Sequence, residues 1–273
     1  MTDASLLVHF SKKHVGRVAV DLSEFDALSF DCYGTLIDWE TGIASILAPW
    51  AKETGLELSD EELLLAYADN EARIERDAPS LPYPEVLAEA FRRTGSALGA
   101  AVSDEWAGRL GSSVPEWPAF PDSADALASL AENYALIIVS NVHREGFAGS
   151  NARLGVAFDS IITAEDVGAY KPAHSHFHAL DGVLADLGVP RERLLHVAQS
   201  LFHDHVPARQ RGLSSVWINR RHDRPGWGAT PAPAGEYSYD LEFPTMRAFA
   251  EAACAANAGG AGRSRGSGQR AMP

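Results

Sequence analysis

Five short apolar runs recur along the chain, and the stretches between them carry helical patterning. This alternation limits the fold more than any other feature. The runs are Ala27–Asp31, Ala135–Ser140, Asp159–Thr163, Leu194–Ala198 and Ser215–Asn219. Each is bounded by polar residues or by Gly and Pro, and none shows the strict alternation of a strand with one wet face. They are therefore expected as strands covered on both sides. The later intervals are long enough for right-handed helical crossovers. The pattern predicts an α/β protein with a doubly wound parallel sheet.

The spacing has one large irregularity, between Asp31 and Ala135. Ser59-Asp60-Glu61-Glu62 forms a capping box ahead of "LLLAYADNEARIE", with acidic residues that suit the helix dipole. "YPEVLAEAFRRTG" reads as a second helix, with Pro84 at a tolerated early position and Gly95 as its stop. Ser103 opens a third, "SDEWAGRL". A helical insertion after the first strand is placed to cover that strand's C-terminal end. The expected division is a core of residues 26–38 and 115–252, a helical cap of 39–114, an N-terminal extension of 1–25, and a tail of 255–273. The tail, "AANAGGAGRSRGSGQRAMP", is too poor in large apolar residues to order itself.

The formal net charge of −14 argues against nucleic acid and against an anionic membrane surface, since both need a basic footprint. No apolar run is long enough to span a bilayer, and the N-terminus lacks a basic start followed by an apolar stretch, so no secretory leader is expected. The two cysteines, Cys32 and Cys254, suggest no disulfide framework, and a reducing cytoplasm is the expectation.

In a doubly wound sheet, sites form beyond the C-terminal ends of the strands. The polar residues closing the runs are Asp31 and Thr35 after the first, and Ser140 and Asn141 at the end of the second. Lys171 lies in "VGAYKP" after the third, and Ser200 and Asp204 lie in "HVAQSLFHD" after the fourth. Taken singly, each has a plain alternative as a turn, cap or surface residue. Together they bring two carboxylates, a lysine and several hydroxyls to one sheet edge. In this order, "SFDCYGTLID", "VSN", "YKP" and "AQSLFHD" resemble the four motifs of the haloacid dehalogenase superfamily over residues 26–220, and the helical insertion lies where that superfamily has its cap.

Two departures refine the resemblance. Phosphatases of the superfamily carry Asp-x-Asp-Gly-Thr, and the second Asp is their general acid. Here that position is Tyr33, a poor proton donor at neutral pH. Their fourth motif often supplies an Asp to Mg²⁺ where this chain has Gln199, and Mg²⁺ prefers anionic oxygen. The chain is thus more similar to the 2-haloacid dehalogenase branch, which has Asp-x-Tyr-Gly-Thr and needs no metal or other cofactor.

That resemblance implies a small carboxylate substrate, a covalent ester on Asp31, and hydrolysis of the ester by water activated at Asp204. Lys171 would keep Asp31 ionised, and Thr35 would orient it. Ser140 and backbone N–H groups would hold the substrate carboxylate, and Asn141 would donate to the halide. Tyr33 and Ser200 complete the expected substrate-binding set. The branch is commonly a homodimer.

Other features fit the branch less closely. It often has a cap arginine for the halide; here Arg73 and Arg76 lie on the first cap helix and read as solvated charges. Its tyrosine after the lysine appears as Phe177, and its Ser-Asn-x-x-Asp as Ser-Leu-Phe-His-Asp. The histidines of "HSHFH" and "FHDH" do not have a metal-binding spacing, and the arginines ending "VWINRR" read as surface. The alternatives are cleavage of another carbon–heteroatom bond, a phosphatase, or a silent binding protein on the same scaffold.

Overall fold

The computed structural model of the chain describes residues 20–233 and 235–259. Six parallel strands form one sheet in the order β3-β2-β1-β4-β5-β6. They are β1 (Ala27–Phe30), β2 (Ala135–Ser140), β3 (Ser160–Thr163), β4 (Leu194–Ala198), β5 (Ser214–Ile218) and β6 (Leu241–Phe243). The five expected strands are all present. The edge strand β6 was not foreseen, because "LEF" is too short to stand out from its surroundings.

Alternate side chains of the strands supply two cores, as the pleat requires. Leu28, Phe30, Leu136, Ile138, Leu195 and Val197 pack into one cluster that also takes in the cap. Ala27, Ile137, Val139 and Leu194 pack with Phe177, Leu180 and Leu184 on the opposite face.

Four helices fill residues 39–111, the first part of the interval between β1 and β2: α1 (Trp39–Glu53), α2 (Asp60–Asp77), α3 (Tyr83–Ala97) and α4 (Asp104–Gly111). The capping box of α2 is present, with Ser59 and Glu62 bonded reciprocally. α3 runs through Gly95, the expected stop, and ends before Gly99, which takes the left-handed conformation at φ +76°. Gly95 serves close packing instead: a Cβ there would lie 2.5 Å from Val102 and 2.7 Å from the Ala100 carbonyl.

The core helices are α5 (Ser123–Ala131), α6 (Arg144–Leu154), α7 (Ala164–Val167), α8 (Ser175–Leu187), α9 (Val206–Gln210) and α10 (Met246–Gly259). α10 takes in the first residues of the stretch expected as an unstructured tail, burying Met246, Phe249, Ala250 and Ala253 against the sheet side. Residues 260–273, like 1–19, lie outside the described residues. No helix among the described residues is long and apolar enough to cross a membrane.

Candidate active site

β1 and β4 are neighbours, with Phe30 opposite Val197, so the segments leaving these two strands meet at the centre of the sheet edge. The Asp31 amide still bonds the Val197 carbonyl at 3.1 Å. The chain then turns through Gly34, whose φ of +91° favours glycine and where a Cβ would meet Gln199 and Trp39 at 3.0 and 3.1 Å. This turn brings Thr35 back, and its hydroxyl donates to Asp31 Oδ2 at 2.7 Å. The same Thr35 oxygen accepts from the Gln199 amide at 2.9 Å, tying the first motif to the fourth.

Lys171 is 2% exposed and spends its three donors on Asp31 Oδ1 at 2.9 Å, Asp204 Oδ1 at 2.8 Å and the Val139 carbonyl at 2.9 Å. Asn141 holds the lysine backbone at both ends. Its Oδ1 accepts from the Lys171 amide at 2.6 Å, and its Nδ2 donates to the Lys171 carbonyl at 3.2 Å. Asp204 lies in a single wide π-turn, Leu201–His205, capped by Ser200, whose Oγ accepts from the His203 amide. Such turns are rare and recur at functional sites.

His196 in β4 donates to Asp204 Oδ1 at 3.0 Å and shares its other nitrogen with Ser29 at 2.8 Å. The carboxylate can only accept, so Nε2 carries the proton. Asp204 Oδ2 is buried and has no protein partner.

Burial pushes the Asp31 carboxyl up; Lys171 opposes the rise and the Asp204 charge adds to it. Asp204 is held well below the usual carboxylate range: burial would raise it, but the Lys171 charge and the His196 bond outweigh burial. Burial would also lower Lys171, yet the two carboxylates overcome it and raise its pKa. One ammonium between two carboxylates is an electrostatic clamp, and Asp31 lines the cleft beside it.

All the expected site residues except Thr35 and Asp204 line a cleft of about 50 Å³: Asp31, Tyr33, Ser140, Asn141, Lys171 and Ser200. Thr35 and Asp204 lie directly behind it. Six further residues line it that the sequence did not mark as belonging to the site: Trp39, Glu71, Glu75, Tyr83, His203 and Thr230. Glu71 and Glu75 lie on the buried face of α2 with Leu63, Leu64, Tyr67 and Ile74, a face that is fixed only once the helix is packed. Arg73 and Arg76 point outward, and Arg76 pairs with Asp77 on the surface.

Tyr33 does not aim a proton at the cleft. Its hydroxyl is bonded to Ser150 at 2.9 Å, and burial pushes its pKa well up. Cys32 is fully buried and packs in the core cluster. Phe177 packs edge-on to His196 at 5.4 Å. The expectation for "VWINRR" is overturned: Arg220 is largely buried against the Phe120 ring. It donates to the Thr35 carbonyl at 2.8 Å and to both oxygens of Asp122 at 2.9 and 3.0 Å.

A magnesium ion of the phosphatase type does not fit these residues. Asp31 and Asp204 face a common ammonium, and among the described residues no three His, Cys, Asp or Glu side chains are grouped to hold a metal.

Two curated relatives are (S)-2-haloacid dehalogenase H-109 of Pseudomonas putida and the (S)-2-haloacid dehalogenase of Pseudomonas fluorescens. The first is 27% identical over 73% of this chain and 88% of its own length; the second is 26% identical over 71% and 84%. Among solved structures, L-2-haloacid dehalogenase from Xanthobacter autotrophicus superposes with a TM-score of 0.67 at 18% identity, covering 83% of this chain and 97% of that one. That likeness is one of fold. Residues 25–198 match the family model of haloacid dehalogenase-like hydrolases, and the chain belongs to that family.

Proposed function

We propose that this hydrolase displaces halide from a small 2-haloacid and releases a 2-hydroxy acid, by way of an ester on Asp31. One observation carries the proposal. The carboxylate of Asp31 is clamped by Lys171 and Thr35 at the cleft floor, while the position that would supply a leaving-group proton is Tyr33, whose hydroxyl is engaged with Ser150. A halide leaves without a proton, so a nucleophile without a general acid in its motif suits it.

In the first step an oxygen of Asp31 bonds to the carbon bearing the halogen, and the carbon–halogen bond breaks with its electron pair leaving on the halide. In the second, water attacks the carbonyl carbon of the ester and the alkoxide departs as the 2-hydroxy acid. One water proton goes to that alkoxide and one to solvent. Asp204 Oδ2, ionised and unpartnered, holds the attacking water. The buried Ser140 hydroxyl, also without a protein partner, donates to the substrate. One N–H of the Asn141 amide is engaged by the Lys171 carbonyl, and its second faces the cleft, where it can donate to the departing halide; Ser200 caps the π-turn and lines the same cleft.

The test is halide release from a panel of small 2-haloacids in EDTA, with Asp31→Asn alongside. The expected outcome is release by the wild type and none by the variant. A single turnover in ¹⁸O-water should leave the label on Asp31. Release of phosphate that requires Mg²⁺, or no halide from any member, would overturn the proposal.

A further inference from the structure

The cleft poses a charge problem. Its lining holds one cation, Lys171, and that ammonium has no hydrogen left for a substrate. From the cap come two carboxyl groups and no arginine. Glu71 and Glu75 sit one helical turn apart on α2, 7% exposed each, and both line the cleft with Asp31. A substrate carboxylate entering a space this small would meet like charges on two sides, an arrangement that the ionised forms cannot share.

Glu75 is faced from its own helix and from the core. From its own helix comes Glu71, which takes hydrogen bonds from Tyr67 at 3.3 Å and from Tyr83 of α3 at 3.1 Å. From the core come Asn141 Nδ2 at 3.5 Å from Oε1, His203 Nε2 at 3.9 Å from Oε2, and Lys171, with Asp31 and Tyr33 on the same cleft wall. His203 is kept uncharged by burial, its pKa lowered to about 4. Burial, and then the Glu71 charge, push the Glu75 carboxyl well up, with Lys171 and Asn141 in weaker opposition.

We propose that Glu75, with Glu71 behind it, meets the substrate as a neutral carboxylic acid and donates a hydrogen bond to its carboxylate, so that the cap admits 2-haloacids only while this acid keeps its proton. The inference rests on the haloacid proposal for the substrate. It makes Glu75 a specificity-determining residue that works through its proton, where a cationic side chain would work through charge. Ser140 supplies the second donor from the core side.

The experiment is halide release from 2-chloropropionate and from uncharged 2-chloropropionamide between pH 5.5 and 9, with wild type, Glu75→Gln and Glu75→Ala. In the wild type, kcat/KM for the acid should fall about tenfold per pH unit once Glu75 ionises, with no such fall for the amide. Glu75→Gln keeps a neutral donor at every pH. It should retain at least about a tenth of the wild-type kcat/KM at pH 6 and lose the alkaline fall, while Glu75→Ala should lose about a hundredfold through KM.

An inactive Glu75→Gln that still folds, or one with the wild-type pH profile, would overturn the inference. A second measurement needs no variant. Calorimetry of propionate binding to the wild type, at a pH above the midpoint of the alkaline fall in kcat/KM and in buffers of different ionisation heat, should show net proton uptake; binding without uptake there, or no binding at any pH, would overturn it. Halide release with no proton uptake refutes the inference alone, whereas proton uptake without halide release refutes the haloacid proposal alone.

Discussion

Lys171 shows how one side chain can organise a site. A buried ammonium with a single carboxylate would be a marginal pair; with two carboxylates and the Val139 carbonyl it is fully satisfied. Asp31, Thr35, Lys171 and Asp204 were legible because each ends a run or comes after one at a fixed motif position. Glu75 was not, because an acidic residue among "DNEARIERD" looks solvated until the helix face is known. Its neighbour Glu71 yields a prediction for stability. Burial lifts its carboxyl from 4.5 to about 7 against the Tyr83 and Tyr67 bonds. The folded state therefore holds a proton that the unfolded chain loses first. The stability from this group is complete below pH 4.5 and is lost as pH rises through about 7, a loss of about 3 kcal/mol. Urea unfolding at pH 5 and pH 8 should show this decline in the wild type and lack it in Glu71→Gln.

Among the elements, α2 brings Glu71 and Glu75 to the cleft, and the segment after β5 brings Arg220 to the turn that carries Asp31 and Thr35. Helical spacing alone sets Glu71 and Glu75 on one face of α2 and leaves Arg73 and Arg76 exposed. The sequence indicated where α2 begins, through its capping box, but not which face would turn inward, since that depends on packing against α1 and α3. Arg220 was misread for a related reason: two arginines at a strand end have no periodicity to mark one as buried. Its guanidinium bridges the Thr35 carbonyl and Asp122, so Arg220→Ala should strand a buried carboxylate and a carbonyl. We expect a loss of about 2–4 kcal/mol in urea unfolding and a lower kcat for halide release. Arg220→Lys should recover little of either, because an ammonium cannot reproduce the planar fork.

At the scale of the molecule, the parallel sheet and the place of the insertion were readable because both are written in long patterns: apolar runs at intervals, and an interval too long for a crossover. The edge strand β6 and the reach of α10 were not, being short or compositionally plain. The small volume of the cleft leads to a prediction about size. A water molecule needs about 10–15 Å³ of such space, so about 50 Å³ accommodates only a handful of non-hydrogen atoms. Halide release should be fastest with two- and three-carbon acids, and kcat/KM should drop at least about tenfold by 2-chlorohexanoate. The register that sets β1 beside β4 has one more consequence. Asp31 and Asp204, the carboxylates to which the proposal gives the chemistry, follow neighbouring strands of the sheet, while Glu71 and Glu75 hang from a helix inserted after β1. On the proposed reading, chemistry and taste are separable: substitutions on the cleft face of α2 should change which acid is preferred and leave the Asp31–Lys171–Asp204 contacts in place.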